Sequence, residues 1–197
     1  MQTLRWVVTT CPERVEYHPY LMAHVPGLEL VVDQRHSSIL NYLLALGMVE
    51  HDACVMLEDD VIFTEGFKEK IIRAIEGYSS NVINFYSMRD ADLTEGTRWI
   101  NGGGFSCNLC TYLPEGYASL ILRFWERWEY LGGTDKELKK WCVEHGSGKD
   151  TLIQRFLRHR GEKYLNWVPS LVDHRVGESV ERRGRSKNRG SLTFKEK

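Results

Sequence analysis

At 197 residues, with 42% hydrophobic and 27% charged residues, the chain has the balance of a globular domain, not of a disordered or fibrous one. No apolar run is long enough to span a bilayer, and the first residues lack the regions of a signal peptide, so a cytoplasmic location is expected. Five scattered cysteines argue against a disulfide framework and for a reducing setting.

The net charge of -1 conceals an uneven distribution. Residues 175–197 carry eight Lys or Arg against three Glu, a balance of +5, while the rest has 18 basic and 24 acidic residues, or -6. The chain therefore divides into a body, residues 1–180, and a basic tail, residues 181–197. Such a tail is either a solvated end or a holder of phosphate-bearing ligands.

Leu4 to Thr9 has the character of a buried strand and is broken at Cys11-Pro12. Leu28 to Asp33 is a second strand. Ser37 or Ser38 caps a helix bearing Ile39, Leu40, Leu43, Leu44 and Leu46, which ends near Gly47. Ala53 to Leu57, apolar on both faces, reads as a central parallel strand. Phe67, Ile71, Ala74, Ile75 and Tyr78 have helical spacing, and Val82 to Tyr86 is the next strand. This alternation predicts an α/β fold, a single Rossmann-like domain with a mainly parallel sheet flanked by helices. Ser87 to Arg98 is polar, and after the Gly102-Gly103-Gly104 bend comes a strand through Phe105, Cys107, Leu109 and Thr111. Helices are predicted over Pro114–Tyr130, about Asp135–Cys142, and Asp150–Arg160. Tyr164 to Val172 is the last predicted strand.

The most informative stretch is Val55-Met56-Leu57-Glu58-Asp59-Asp60-Val61-Ile62-Phe63. Three carboxylates interrupt an apolar run, and buried charge needs cations or water. Two readings fit: a charged turn after a core strand, or a strand end that reaches a ligand cleft. In open α/β sheets that cleft lies beyond the carboxyl ends of the strands, where acids suit a divalent cation carrying phosphate oxygens.

The position of this triplet, after a strand and before a strong helix, resembles the GT-A class of nucleotide-sugar glycosyltransferases. Glu58-Asp59-Asp60 is similar to the E-D-D form in N-acetylglucosaminyltransferases and the lipopolysaccharide glycosyltransferase family. Pro169-Ser170-Leu171-Val172-Asp173-His174-Arg175-Val176-Gly177-Glu178-Ser179 resembles the P-S-L-x-x-H-x-G-x-x-S ending of the N-acetylglucosaminyltransferase IV family and its bacterial and phage relatives, with one extra residue between His174 and Gly177.

The resemblance implies a GT-A fold and a nucleotide-sugar donor, a UDP-sugar in the first place. Asp60 and His174 would ligate Mn²⁺, or Mg²⁺, with Mn²⁺ the better match to mixed O/N ligation. Glu58 and Asp59 would face the ribose, donor sugar or water shell. Asp150, at the start of a late helix, is the candidate general base of an inverting transfer, and an N-terminal cap is its plain alternative. Asp90 and Asp92 are substitutes for that role. Thr9 and Arg14, after the first strand, are candidates for base and diphosphate contacts, and Asp33 for base or ribose; each is equally a turn former or surface charge. Gly103 and Gly104 would admit the donor sugar close to backbone, or mark a bulge. Trp99, in a loop, would stack on a sugar or base.

Glycan or lipopolysaccharide acceptors fit the resemblance. A hydroxymethylated base in phage DNA, contacted by Arg182, Arg183 and Arg185 and flipped from the duplex, is the alternative. A metal-dependent phosphoryl-transfer enzyme and a non-catalytic binding module are the rivals of other classes. Gly146-Ser147-Gly148-Lys149-Asp150-Thr151 fails as a P-loop, because Val143 holds the first glycine position and Asp150 the Ser/Thr position. Cys107 and Cys110 form a single C-x-x-C, which does not make a structural zinc site.

Overall fold

A computed structural model of the protein describes residues 4–175 and 190–196. Strand β1 (Arg5–Thr10) leads through a 3₁₀ turn at Pro12–Tyr17 and helix α1 (His18–His24) to β2 (Glu29–Val32). Helix α2 (Ser38–Val49) follows, its N-terminus capped by the Ser37 hydroxyl, which accepts from the Leu40 N–H. Next come β3 (Cys54–Glu58), β4 (Val61–Phe63) and α3 (Phe67–Tyr78). The first three strands pair in parallel, with Thr9 opposite both Val31 and Glu58. Their carboxyl ends therefore open on one edge of the sheet.

After β5 (Ile83–Asn84), the polar stretch folds as a short helix α4 (Asp92–Glu95) and strand β6 (Arg98–Asn101). Strand β7 (Cys110–Leu113) leads to α5 (Tyr117–Arg127), α6 (Gly133–His145) and α7 (Lys149–His159). Strands β8 (Lys163–Asn166) and β9 (Val172–His174) close the described fold. The main sheet has the order β2-β1-β3-β7-β5-β8-β6.

The sheet is mixed. Strand β7 lies antiparallel between β3 and β5, and β6 is antiparallel to β8 at the edge. The other strands run one way, so the expectation of a mainly parallel sheet holds for direction and misses the inserted β7 and the antiparallel edge strand β6. The chain travels out to the β6 edge and returns through the glycine bend before entering β7. The strand predicted from Phe105 starts later, at Cys110. Residues 105–109 are irregular, with Phe105 O and Ser106 O accepting from Gln154 and Asn84 side chains.

Side chains alternate between two cores. Val7, Val31 and Met56 face α2, α5 and α7, whereas Trp6, Val8, Val55 and Leu57 face α3 on the other side. Gly102 is wedged under α7: an added Cβ would lie 2.4 Å from Leu157 Cβ and 2.8 Å from Glu162 O. Only a glycine lets the two backbones approach so closely.

The predicted final strand is divided. Residues 167–171 interrupt it, and β9 leaves the main sheet to pair antiparallel with β4, Val61 opposite His174. Of the expected basic tail, residues 181–189 and 197 lie outside the described residues. Residues 190–196 pack back on the body: Ser191 N–H donates to Asp173 Oδ1, Ser170 N–H to Thr193 Oγ1, and Thr64 Oγ1 to Lys195 O. No helix among the described residues is long and apolar enough to cross a membrane.

Candidate functional site

A cleft of about 470 Å³ opens at the carboxyl ends of β1, β2 and β3. Topology puts it there: three parallel strands end together, and the loops beyond them diverge. The start of α2, the end of α6, the start of α7 and β9 complete its walls. Of the residues singled out in the sequence, Thr9, Arg14 and Asp33 line it, as do Glu58-Asp59-Asp60, Asp150 and His174.

The acids occupy different environments. Glu58 is the last residue of β3, and Asp59-Asp60 form the turn into β4. Because β9 pairs with β4 in register Val61–His174, the imidazole arrives beside the turn: His174 Nδ1 lies 3.5 Å from Asp60 Oδ1. The ring is braced edge-on by Tyr86, 5.2 Å between centroids. The Arg175 N–H donates to Asp60 O at 2.7 Å, fixing the end of the ribbon.

Arg14 reaches into the turn from the loop after β1. Its guanidinium is 2.5 Å from Asp59 Oδ1 and 3.2 Å from Asp60 Oδ2. Asp59 is only 4% exposed, so it lines the cleft as the buried counter-ion of Arg14. Burial opposes ionisation of Asp60, but His174, Arg14 and Lys149 outweigh it and hold the carboxyl well below the usual carboxylate range. Glu58 is different. Burial pushes its carboxyl up to about 7, against the pull of Lys149, whose Nζ is 3.0 Å away, and with the help of Asp60 and Asp150.

Asp150 sits in the first turn of α7, but Gly148 is the N-cap and no side chain caps this helix. Asp150 Oδ1 instead accepts the Asn108 backbone N–H at 2.7 Å. The carboxylate is thus held from the loop before β7, and its second oxygen makes no hydrogen bond among the described residues. The plain capping alternative does not describe this residue.

Asp33 is a turn former as well as a cleft residue: its two oxygens accept from Arg35 N–H and Ser37 N–H. Thr9 Oγ1 donates to Leu57 O at 3.4 Å, at the β1–β3 junction. Gly103, Gly104 and Trp99 are not among the residues that line the cleft. Gly104 O accepts from Arg89 and Tyr164 near α7, and Trp99 meets Tyr78 on the β6 edge. Asp92 is buried in an ion pair with Arg98 at 2.8 Å, which removes it as a substitute base. Arg182, Arg183 and Arg185 lie outside the described residues.

Several cleft residues escaped the sequence reading: Thr10, Cys11, His36, Asn41, Trp141 and His145. Lys149 escaped too, set aside with the failed P-loop, although a lysine beside an acid at a glycine-rich helix start signals a charged site. Trp141 and His145 stand one helical turn apart, which is the pattern of a shared helix face.

The donor set fits a divalent cation. Asp60 Oδ1 is buried with no hydrogen-bond partner among the described residues, and it faces a ring nitrogen at a spacing two ligands of one ion adopt. No group of three His, Cys, Asp or Glu among the described residues is arranged to hold a metal. An ion would therefore share these two protein ligands with oxygens from substrate or water.

No protein-family model matches the chain, and no curated protein matches it at a significant level.

Proposed function

We propose that this protein is a metal-dependent glycosyltransferase of GT-A type, moving a sugar from a nucleotide-sugar donor, a UDP-sugar first, to a hydroxyl acceptor. One observation carries the reading: Glu58-Asp59-Asp60, His174 and Asp150, distant in sequence, share one cleft with the loop ends of β1 and β2.

In this reading Thr9, Asp33 and Arg14 receive the nucleotide. Asp60 and His174 would hold Mn²⁺ or Mg²⁺, which would supply Lewis-acid neutralisation of the leaving diphosphate. Arg14 adds fixed positive charge beside it. Asp150, anchored by Asn108, presents its second oxygen to the acceptor hydroxyl. The acceptor oxygen bonds to the anomeric carbon, the bond from that carbon to the diphosphate breaks, and the acceptor proton passes to Asp150. Direct displacement of this kind inverts the anomeric centre.

The test is a donor screen. Melting of the protein with Mn²⁺ is followed against a set of nucleotide sugars, and release of nucleoside diphosphate is measured for those that raise the melting point. The reading requires one donor that stabilises the fold and turns over. Full turnover in chelator, or shortening of nucleic acid in place of diphosphate release, overturns it.

A further inference from the structure

One wall of the cleft carries a pair of stacked rings. Trp141 and His145, on the last turns of α6, both line the cleft. Their rings stack at 4.7 Å between centroids with 19° between planes. Trp141 is 37% exposed and lines the cleft; Trp6 and Trp128 are almost fully buried, and Trp99, 44% exposed, lies outside the cleft.

One glycine, Gly148, lies against the platform. Gly148 has a φ of +104°, and a Cβ there would lie 2.5 Å from Cys142 Sγ and 3.7 Å from Trp141 Cζ3. The Trp141 ring therefore rests against the residue that caps α7, two positions before Asp150. The candidate base and the aromatic plane line the same cleft.

The platform is also chemically specified. His145 Nδ1 lies 2.9 Å from Trp141 O. A carbonyl oxygen only accepts, so Nδ1 carries the proton and Nε2 of the neutral ring is a hydrogen-bond acceptor. An apolar plane beside a ring acceptor matches a pyranose, whose C–H face stacks while a hydroxyl donates.

We infer that Trp141, supported by His145, is the acceptor-binding platform and that the acceptor is a neutral saccharide; this rests on the transferase reading above. Charge separates it from the nucleic-acid alternative. Five carboxylates line the cleft, and its two cationic side chains, Arg14 and Lys149, are already paired with acids. Beyond the diphosphate that the metal and Arg14 would hold, a polyanion meets mainly carboxylates on this wall, whereas an uncharged sugar bears no like-charge repulsion there.

The experiment titrates the full chain, with UDP and Mn²⁺ present, against N,N′-diacetylchitobiose, lactose, maltose and a single-stranded DNA oligonucleotide, read by saturation-transfer NMR. At least one disaccharide binds the unmodified protein. Trp141→Ala weakens it by about tenfold, the scale of one aromatic contact, and Trp141→Phe restores most of the affinity. UDP affinity and melting temperature stay unchanged in both variants. No disaccharide binding, saccharide affinity unchanged in Trp141→Ala, loss of UDP binding in that variant, or oligonucleotide binding that Trp141→Ala abolishes each overturns the inference. Failure of the transferase reading looks different: saccharide binding would respond to Trp141 with no nucleotide sugar turned over.

Discussion

His174 Nδ1 stands 3.5 Å from Asp60 Oδ1 because β9 abandons the main sheet to pair with β4. A late histidine is thereby delivered to an early acid. The pair makes the first prediction. Asp60→Asn removes a charged ligand while keeping its shape, and turnover falls by about 10² or more as Lewis-acid stabilisation is lost. His174→Ala lowers turnover less and shifts the Mn²⁺ concentration needed for half activity upward. Assaying both variants across a Mn²⁺ titration checks the order; equal activity of wild type and Asp60→Asn at every Mn²⁺ concentration contradicts it.

Asp150 is held by Asn108, and this separates its two obvious variants. Asp150→Asn keeps an oxygen for the Asn108 N–H, so the fold is preserved while kcat drops about 10²-fold or more and donor affinity persists. Asp150→Ala also leaves the Asn108 N–H without its acceptor and lowers stability by about 1–3 kcal/mol. Steady-state kinetics with urea unfolding tells the two effects apart. Loss of donor binding in Asp150→Asn with kcat retained assigns the residue to the donor instead.

Arg14 is the cation on which the buried Asp59 depends. Arg14→Gln strands a carboxylate that is 4% exposed and costs about 3–5 kcal/mol. The double variant Arg14→Gln, Asp59→Asn recovers much of that loss, since neither partner is left charged and alone. Denaturant midpoints of the single and double variants measure the coupling. Simple additivity argues against a buried pair.

Glu58 sets a pH dependence of known sign. Its carboxyl is raised from an ordinary 4.5 to about 7, so the folded state binds more protons than the unfolded state across that window. Stability from this group is therefore full at acid pH and declines as pH rises from 4.5 to about 7, by at most about 3 kcal/mol. Asp60 acts the other way: its depressed carboxyl contributes stability that is lost as pH falls below 3.8. Glu58→Gln flattens the melting profile between pH 4.5 and 7 without altering the loss below that range. An unchanged profile in the variant counts against the assignment.

The inner strands and main helices were legible in the sequence because their apolar patterns are local. β1 and β3 are nearly continuous apolar runs, and α2, α3, α5 and α7 carry helical stripes. The insertion of β7 between β3 and β5 was not legible, since strand order depends on pairings between distant segments. β6 escaped because Arg98 and Asn101 make a polar edge strand look like loop. In the cleft, residue types and their places at strand ends could be read directly. Pairings could not: nothing local tells that Arg14 will meet Asp59, that Lys149 will meet Glu58, or that Asn108 will hold Asp150.

The meeting of Asp60 and His174 has a consequence for how this protein can be handled. One partner enters the cleft before the first third of the chain is complete, and the other only after β8. A species that kept its helices but lost the β4–β9 ribbon would give a respectable far-ultraviolet circular dichroism spectrum. It would bind nothing that needs both side chains at once. A ligand held by Asp60 and His174 together thus counts intact molecules and ignores half-folded ones, which makes its stoichiometry the proper measure of a preparation's quality.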